Sequence, residues 1–167
     1  MSNRFPIFWL TGNSGAGKTT LATGIEEHCN QMLDASHPIA RRVVVLDGDE
    51  MRASISRDEG FSAEDRRKHN LRVARLAALM QSKGFLVIVA VIAPFQGVRE
   101  ELSVICDPSW VYIKRSGLGA EDRPYESPAS PSIIIDNDIL TIEEGREMLT
   151  DFILQHTTSE QLVVASL

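Results

Sequence analysis

Residues 12–19 read Gly-Asn-Ser-Gly-Ala-Gly-Lys-Thr, a complete G-x-x-x-x-G-K-S/T run, and no other feature constrains the chain as much. An apolar stretch, Pro6–Leu10, leads into it, and a helical pattern from Lys18 to about Leu33 leads out. A strand that turns through a glycine-rich loop into a helix needs a crossover to the next parallel strand. The residue choices fit a phosphate cradle. Glycines let the backbone wrap closely and turn its N–H groups inward, and the following helix adds the positive end of its dipole. A lysine and a hydroxyl then complete the cradle, Lys18 near the β- and γ-phosphates and Thr19 on Mg²⁺. Gly12, Asn13, Ser14, Gly15, Ala16, Gly17, Lys18, Thr19 and Thr20 are therefore expected to hold ATP with Mg²⁺, and no Asn-Lys-x-Asp guanine reader occurs.

Five short apolar runs alternate with longer helical patterns: Pro6–Leu10, Val43–Leu46, Leu86–Ile92, Trp110–Ile113 and Ser132–Ile135. Near-continuous Val/Ile runs are what strands covered on both faces require. Helices are expected from Lys18 to about Leu33, Ala63 to Lys83, Val98 to Cys106 and Ile142 to His156, the last behind a Thr141/Glu144 capping box. The alternation predicts a doubly wound α/β sheet whose ligands sit at the carboxyl ends of the strands. With 167 residues, residues 1–167 are expected to form one domain. The net charge of −6 argues against a nucleic-acid partner. No apolar run reaches the roughly 18–20 residues of a membrane span, and Pro6–Leu10 is short for a signal peptide, so a cytoplasmic protein is expected. Cys29 and Cys106 lie far apart and read as small buried hydrophobes; Trp9 and Trp110 read as packing residues, and His28, His37 and His156 as surface residues.

Leu46-Asp47-Gly48-Asp49 follows directly on the second apolar run. Carboxylates at that strand end face the phosphate crevice, where one holds Mg²⁺ and the other accepts a proton from an attacking hydroxyl. The catalytic candidates are thus Lys18, Asp47 and Asp49, and the metal ligands Thr19 and Asp47. Spacing leaves open which aspartate is the base.

Taken together, GNSGAGKTT, LDGDEMR and GFSAEDRR resemble the adenylylsulfate kinases, which phosphorylate the ribose 3′-hydroxyl of adenosine 5′-phosphosulfate with ATP. The resemblance runs through Ile92-Ala93-Pro94-Phe95, Pro124-Tyr125-Glu126-Ser127-Pro128 and Ile133-Ile134-Ile135-Asp136, and covers about Phe8 to Asn137. It implies a P-loop kinase-type three-layer fold, a five-stranded parallel sheet with helices on both faces. It also implies a small nucleotide acceptor, held by Asp49, Arg52, Phe61, Arg66, His69, Asn70, Ala93, Pro94 and Phe95. Among these, Arg52 and Arg66 would grip the acceptor's anions and Phe61 would stack on its base. Homodimers are common in that family.

The sequence departs from the family pattern at three places. His69 stands where the family usually has Asn, and Ala93-Pro94-Phe95-Gln96 replaces Ser-Pro-Tyr/Phe-Arg. The long lid shrinks to Lys114–Arg123, so Lys114, Arg115, Arg123 or a partner subunit would supply its cations. These departures keep other readings open: a related nucleotide acceptor such as a cytidine diphosphoramidate, an ATP-binding regulatory module without turnover, or a sugar- or cyclitol-acid kinase. The tail 157–167 is expected to add a strand, pack on a partner or fray.

Overall fold

Burial on both faces organises the molecule, which a computed structural model describes over residues 4–164. Five strands form one parallel sheet: β1 Ile7–Thr11, β2 Val43–Asp47, β3 Leu86–Ala90, β4 Ser109–Lys114 and β5 Ile133–Asp136, in the order β2-β3-β1-β4-β5. Every residue of β1 and β3 is buried, because these strands have neighbours on both edges and helices on both faces. Along β1 the side chains alternate between two cores. Phe8 and Leu10 join the one formed with α1 (Lys18–Glu27) and α5 (Ile142–Val164). Ile7 and Trp9 join the other, with α3 (Ala63–Ser82) and α4 (Gln96–Cys106). Both tryptophans pack as expected: the rings of Trp9 and Trp110 lie 5.3 Å apart, and Trp9 Nε1 donates to Val91 O at 2.9 Å.

Local signals set the helix ends. Ser62 and Asp65 make a capping box at the start of α3, and Gly84, at φ 90°, turns the chain away after its end. Thr141 and Glu144 cap α5 reciprocally. Cys29 and Cys106 are free and buried, and burial raises the Cys29 thiol to about 11. His28 and His156 are exposed and His37 is half-buried. Among the described residues no helix is long and apolar enough to cross a membrane.

Beyond shifts of one or two residues at the strand ends and at the end of α3, four helical features differ from the sequence expectations. The first helix gives way after Glu27 to a π-helical turn, His28–Met32, before Leu33 becomes extended. A short helix, α2 (Gly48–Ala53), stands apart from the four periodic helices expected above; Asp47 caps it by accepting from the amides of Asp49 and Glu50. The fourth helix starts at Gln96 rather than Val98, because the extended Phe95 ends the incoming segment there. The fifth runs past His156 to Val164, so the tail from Thr157 continues a helix instead of adding a strand. Thr157 is buried and its hydroxyl returns to Ile153 O at 2.6 Å, which suits a helical turn. Residues 165–167 lie outside the described part.

Candidate active site

The loop between β1 and α1 packs against β4 so closely that a Cβ on Gly12 would lie 2.4 Å from Ile113 O. Gly15 and Gly17 take left-handed backbones, φ 83° and 104°, which side chains rarely adopt. Lys18 is 7% exposed, and its Nζ donates to Gly12 O at 2.9 Å and Asn13 O at 2.7 Å. Burial lowers its pKa from 10.5 to about 8, against the opposing pull of Asp47. Thr19 Oγ1 donates to Asp47 Oδ1 at 2.5 Å, while Asp47 Oδ2 accepts from Asp49 N at 3.0 Å. Both oxygens of Asp47 are thus engaged. The Asp49 carboxylate, two residues on and exposed, has no hydrogen-bond partner among the described residues.

Two clefts meet at this loop and share Gly15, Lys18 and Thr19. The smaller, about 520 Å³, runs along Gly15–Leu21 to Arg115, Asn137 and the Leu140–Ile142 turn before α5. Asn137 Nδ2 donates to Ala16 O at 2.7 Å and Arg115 Nη1 to Gly15 O at 3.2 Å, so both flank the loop. Sequence reasoning missed Asn137 and the 140–142 turn. The Thr141 cap behind the last apolar run was the available signal, because it puts a helix start at a strand's carboxyl end.

The larger cleft, about 940 Å³, lies on the β2–β3 side and gathers most of the predicted acceptor residues: Asp49, Arg52, Phe61, Arg66, His69, Asn70, Ala93 and Pro94. Asn13, Ser14 and Asp47 also line it. Gly12 lines neither cleft, and its constraint is the contact with β4. Phe95 is not on the wall either. It sits half-buried against the α3–α4 core, because the residue that ends the incoming segment turns its side chain under α4.

Phe61 is 70% exposed, an unusual state for an aromatic ring held in place. The Arg52 guanidinium lies 4.6 Å from the ring centroid and that of Arg66 5.8 Å. Arg52 Nη1 donates to Gly60 O at 2.5 Å and Arg66 Nε to Phe61 O at 2.8 Å. From α3, Arg72 bonds both oxygens of Asp58, at 2.5 and 2.9 Å, and also Glu59 and Ile55 O. The 54–62 loop is therefore tied along its length, and Phe61 projects from its far end, just before the Ser62 cap of α3. Beneath it His69 and Asn70 are 3% and 2% exposed, with His69 Nδ1 and Asn70 Nδ2 unpartnered. Burial, aided by Arg52 and Arg72, lowers His69 to about 4, which keeps the ring neutral near pH 7.

The short segment after β4 sorts the three candidate cations. Lys114 pairs with Asp136 at 2.8 Å across the β4–β5 register. Arg115 lines the smaller cleft and Arg123 the larger. Arg66 Nη2 reaches Asp122 O at 3.5 Å and so joins the segment to α3.

A phosphate loop on the central strand of a β2-β3-β1-β4-β5 sheet, with a carboxylate at the end of β2, defines the P-loop kinases, phosphotransferases with an alcohol acceptor. The family model described as adenylylsulphate kinase matches residues 4–115, and the chain belongs to that family. It is 34% identical to the adenylyl-sulfate kinase of Bacillus pumilus, covering 88% of this chain and 84% of that one. An APS kinase structure from Mycobacterium tuberculosis superposes with a TM-score of 0.73 at 27% identity, covering 91% of this chain and 98% of the other. A hexameric APS kinase from Thiobacillus denitrificans gives a TM-score of 0.73 at 29% identity, covering 92% of this chain and 29% of that longer one.

Proposed function

We propose that this protein is a cytoplasmic kinase that moves the γ-phosphoryl group of ATP to the ribose 3′-hydroxyl of adenylylsulfate. The observation that carries the reading is the pair of clefts joined at Lys18 and Thr19: one suits a triphosphate donor, and the other an anionic nucleotide whose base meets Phe61. In this reading the backbone of residues 12–20 wraps the donor phosphates and Lys18 Nζ turns from its carbonyl partners to them. Arg115, Asn137 and the 140–142 turn border the nucleoside. Thr19 and Asp47 offer hard oxygen ligands of the kind Mg²⁺ takes alongside phosphates, so they fit that ion. Bound there, Mg²⁺ would neutralise charge developing on the transferring group.

On the acceptor side Arg52 and Arg66 hold the phosphosulfate oxygens and Phe61 stacks on adenine. Asp49 is the base, because Asp47 already accepts from Thr19 and from the α2 amides while Asp49 keeps a free carboxylate facing the cleft. It takes the 3′-hydroxyl proton as the oxygen attacks phosphorus and ADP leaves in line. Arg123, entering from the shortened lid, supplies positive charge on this side. His69, Asn70, Ala93 and Pro94 shape the pocket. The assembly is a homodimer, a state that light scattering of the purified protein checks.

The relatives favour adenylylsulfate over a cytidine-based acceptor and over a module without turnover. The test is an acceptor panel with Mg·ATP, reading ADP release and locating the new phosphate by NMR. Preferential phosphorylation of adenylylsulfate at the 3′ position is expected. A preference for cytidine nucleotides, or ADP release independent of acceptor, overturns the reading.

A further inference from the structure

Arg99 is 2% exposed on the first turn of α4, yet the adenylylsulfate kinase reading gives it no contact with either substrate. Its guanidinium joins two separate pieces of chain, the 93–96 stretch and Glu126. Nη1 donates to Ala93 O at 2.7 Å and Nη2 to Glu126 O at 2.6 Å. Nε and Nη2 also donate to Gln96 Oε1, at 3.3 and 3.1 Å. Every one of these bonds ends on a neutral oxygen, while burial disfavours the charge and the nearby Glu126 carboxylate partly offsets that cost without bonding the guanidinium.

What it joins matters for the acceptor cleft. Ala93 is buried with φ 46°, a left-handed backbone unusual for a side-chain-bearing residue, and Ala93 and Pro94 form part of the cleft wall. The 124–127 strap closes the same cleft from above through Pro124 and the adjacent Arg123. The two pieces bond each other as well: Glu126 N donates to Pro94 O at 2.8 Å, and Gln96 N donates to Glu126 Oε2 at 2.7 Å. Tyr125 adds a third tie, its hydroxyl 3.0 Å from Thr11 Oγ1 at the end of β1 and its ring 5.7 Å from the Arg99 guanidinium.

We propose that Gln96 and Arg99 are a coupled pair of positioning residues that lock the cleft wall at Ala93–Pro94 to the 124–127 strap and so set the width of the acceptor site. Gln96 is the partner that makes this possible. Its amide oxygen accepts two hydrogen bonds from Arg99, whereas an arginine at 96 would oppose one guanidinium with another. The departure at this position is therefore read as a gain of an anchor within the protein.

The inference rests on the kinase reading for its kinetic arm only. Three variants test it: Gln96→Leu, Gln96→Arg and Arg99→Met. Gln96 is only half-buried, so its variants fold even if the Arg99 variant does not. In the protein without substrates, amide exchange at Glu126 is expected to rise at least tenfold in each folded variant, with α1 unchanged. In steady-state assays the adenylylsulfate KM is expected to rise at least fivefold while the ATP KM stays within twofold. Unchanged exchange at Glu126 overturns the anchor. Raised exchange with an unchanged acceptor KM, or a parallel rise in both KM values, overturns the positioning role. If the parent protein does not phosphorylate adenylylsulfate, the kinase reading falls, and the exchange measurement still decides whether wall and strap are locked by this pair.

Discussion

Truncating Phe61 to Ala separates binding of the acceptor from stability of the fold more cleanly than any other change in this molecule. The ring is 70% exposed, so its removal opens no cavity. What the free protein loses is the contact with Arg52 at 4.6 Å and the longer one with Arg66 at 5.8 Å, together worth about 1 kcal/mol at an exposed site. Unfolding in urea should therefore shift by no more than about 1 kcal/mol. The acceptor complex loses a base-stacking platform, worth about 1–3 kcal/mol by alanine substitution. At about 1.4 kcal/mol per factor of ten, kcat/KM for adenylylsulfate should fall by roughly 5- to 150-fold. The assay is acceptor-dependent ADP release at saturating Mg·ATP, repeated with ATP varied at fixed acceptor. The ATP parameter should stay within twofold, because the ring touches only the larger cleft. Phe61→Leu should recover part of the apolar contact but not the flat face, and fall between the two. An acceptor kcat/KM within twofold of the parent, or equal losses for both substrates, would refute the platform.

Three further outcomes follow from the geometry. Gly12→Ala should cost about 1–3 kcal/mol of stability and weaken ATP binding in calorimetry, because the new Cβ would meet Ile113 O at 2.4 Å; Gly97→Ala, where a Cβ meets nothing within 4 Å, should be neutral or slightly stabilising. Asp49→Asn should lower kcat by about 10²–10⁴ with ATP affinity near that of the parent, whereas Asp47→Ala should lose ATP affinity in Mg²⁺ and about 1 kcal/mol of helix capping, and equal phenotypes would remove the division of labour. His69 is depressed from 6.5 to about 4, so the unfolded chain binds the extra proton first and stability falls as pH drops through that window, by up to about 3 kcal/mol; His69→Asn should flatten this portion of a urea-unfolding series between pH 7 and 4.5.

Much of this architecture is readable from the residues because the strongest constraints are local. The phosphate loop needs glycines where the backbone turns left-handed or touches β4, and those needs show in any window containing residues 12–17. The strands were equally plain, since burial on both faces leaves unbroken Val/Ile runs. The short helix α2 was hidden for a physical reason: six residues complete too few turns to show a period, and its cap is an aspartate that also faces the phosphate loop. The helix beyond His156 was hidden because Leu162-Val163-Val164 is as apolar as a strand, and only the continuation of α5 decides its form as far as Val164.

Long-range pairing explains the remaining differences in the site. Lys114 could be set apart from Arg115 and Arg123 only by the register that places it opposite Asp136. Phe95 follows two wall residues in sequence, yet the start of α4 rotates it into the core. Asn137 reaches the phosphate loop from the far end of the chain, 121 residues from Ala16. No short pattern carries such information.

The placement of β1 at the centre of the sheet has a consequence for how such a chain changes over time. Beyond the β1–α1 loop, the smaller cleft is walled from the β4–β5 flank and the larger mostly from the β2–β3 flank, with Gly15, Lys18 and Thr19 common to both. Most wall positions belong to one cleft alone, so a substitution there meets a single cleft. A lineage built on this plan is free to exchange the molecule it modifies while its fuel stays the same.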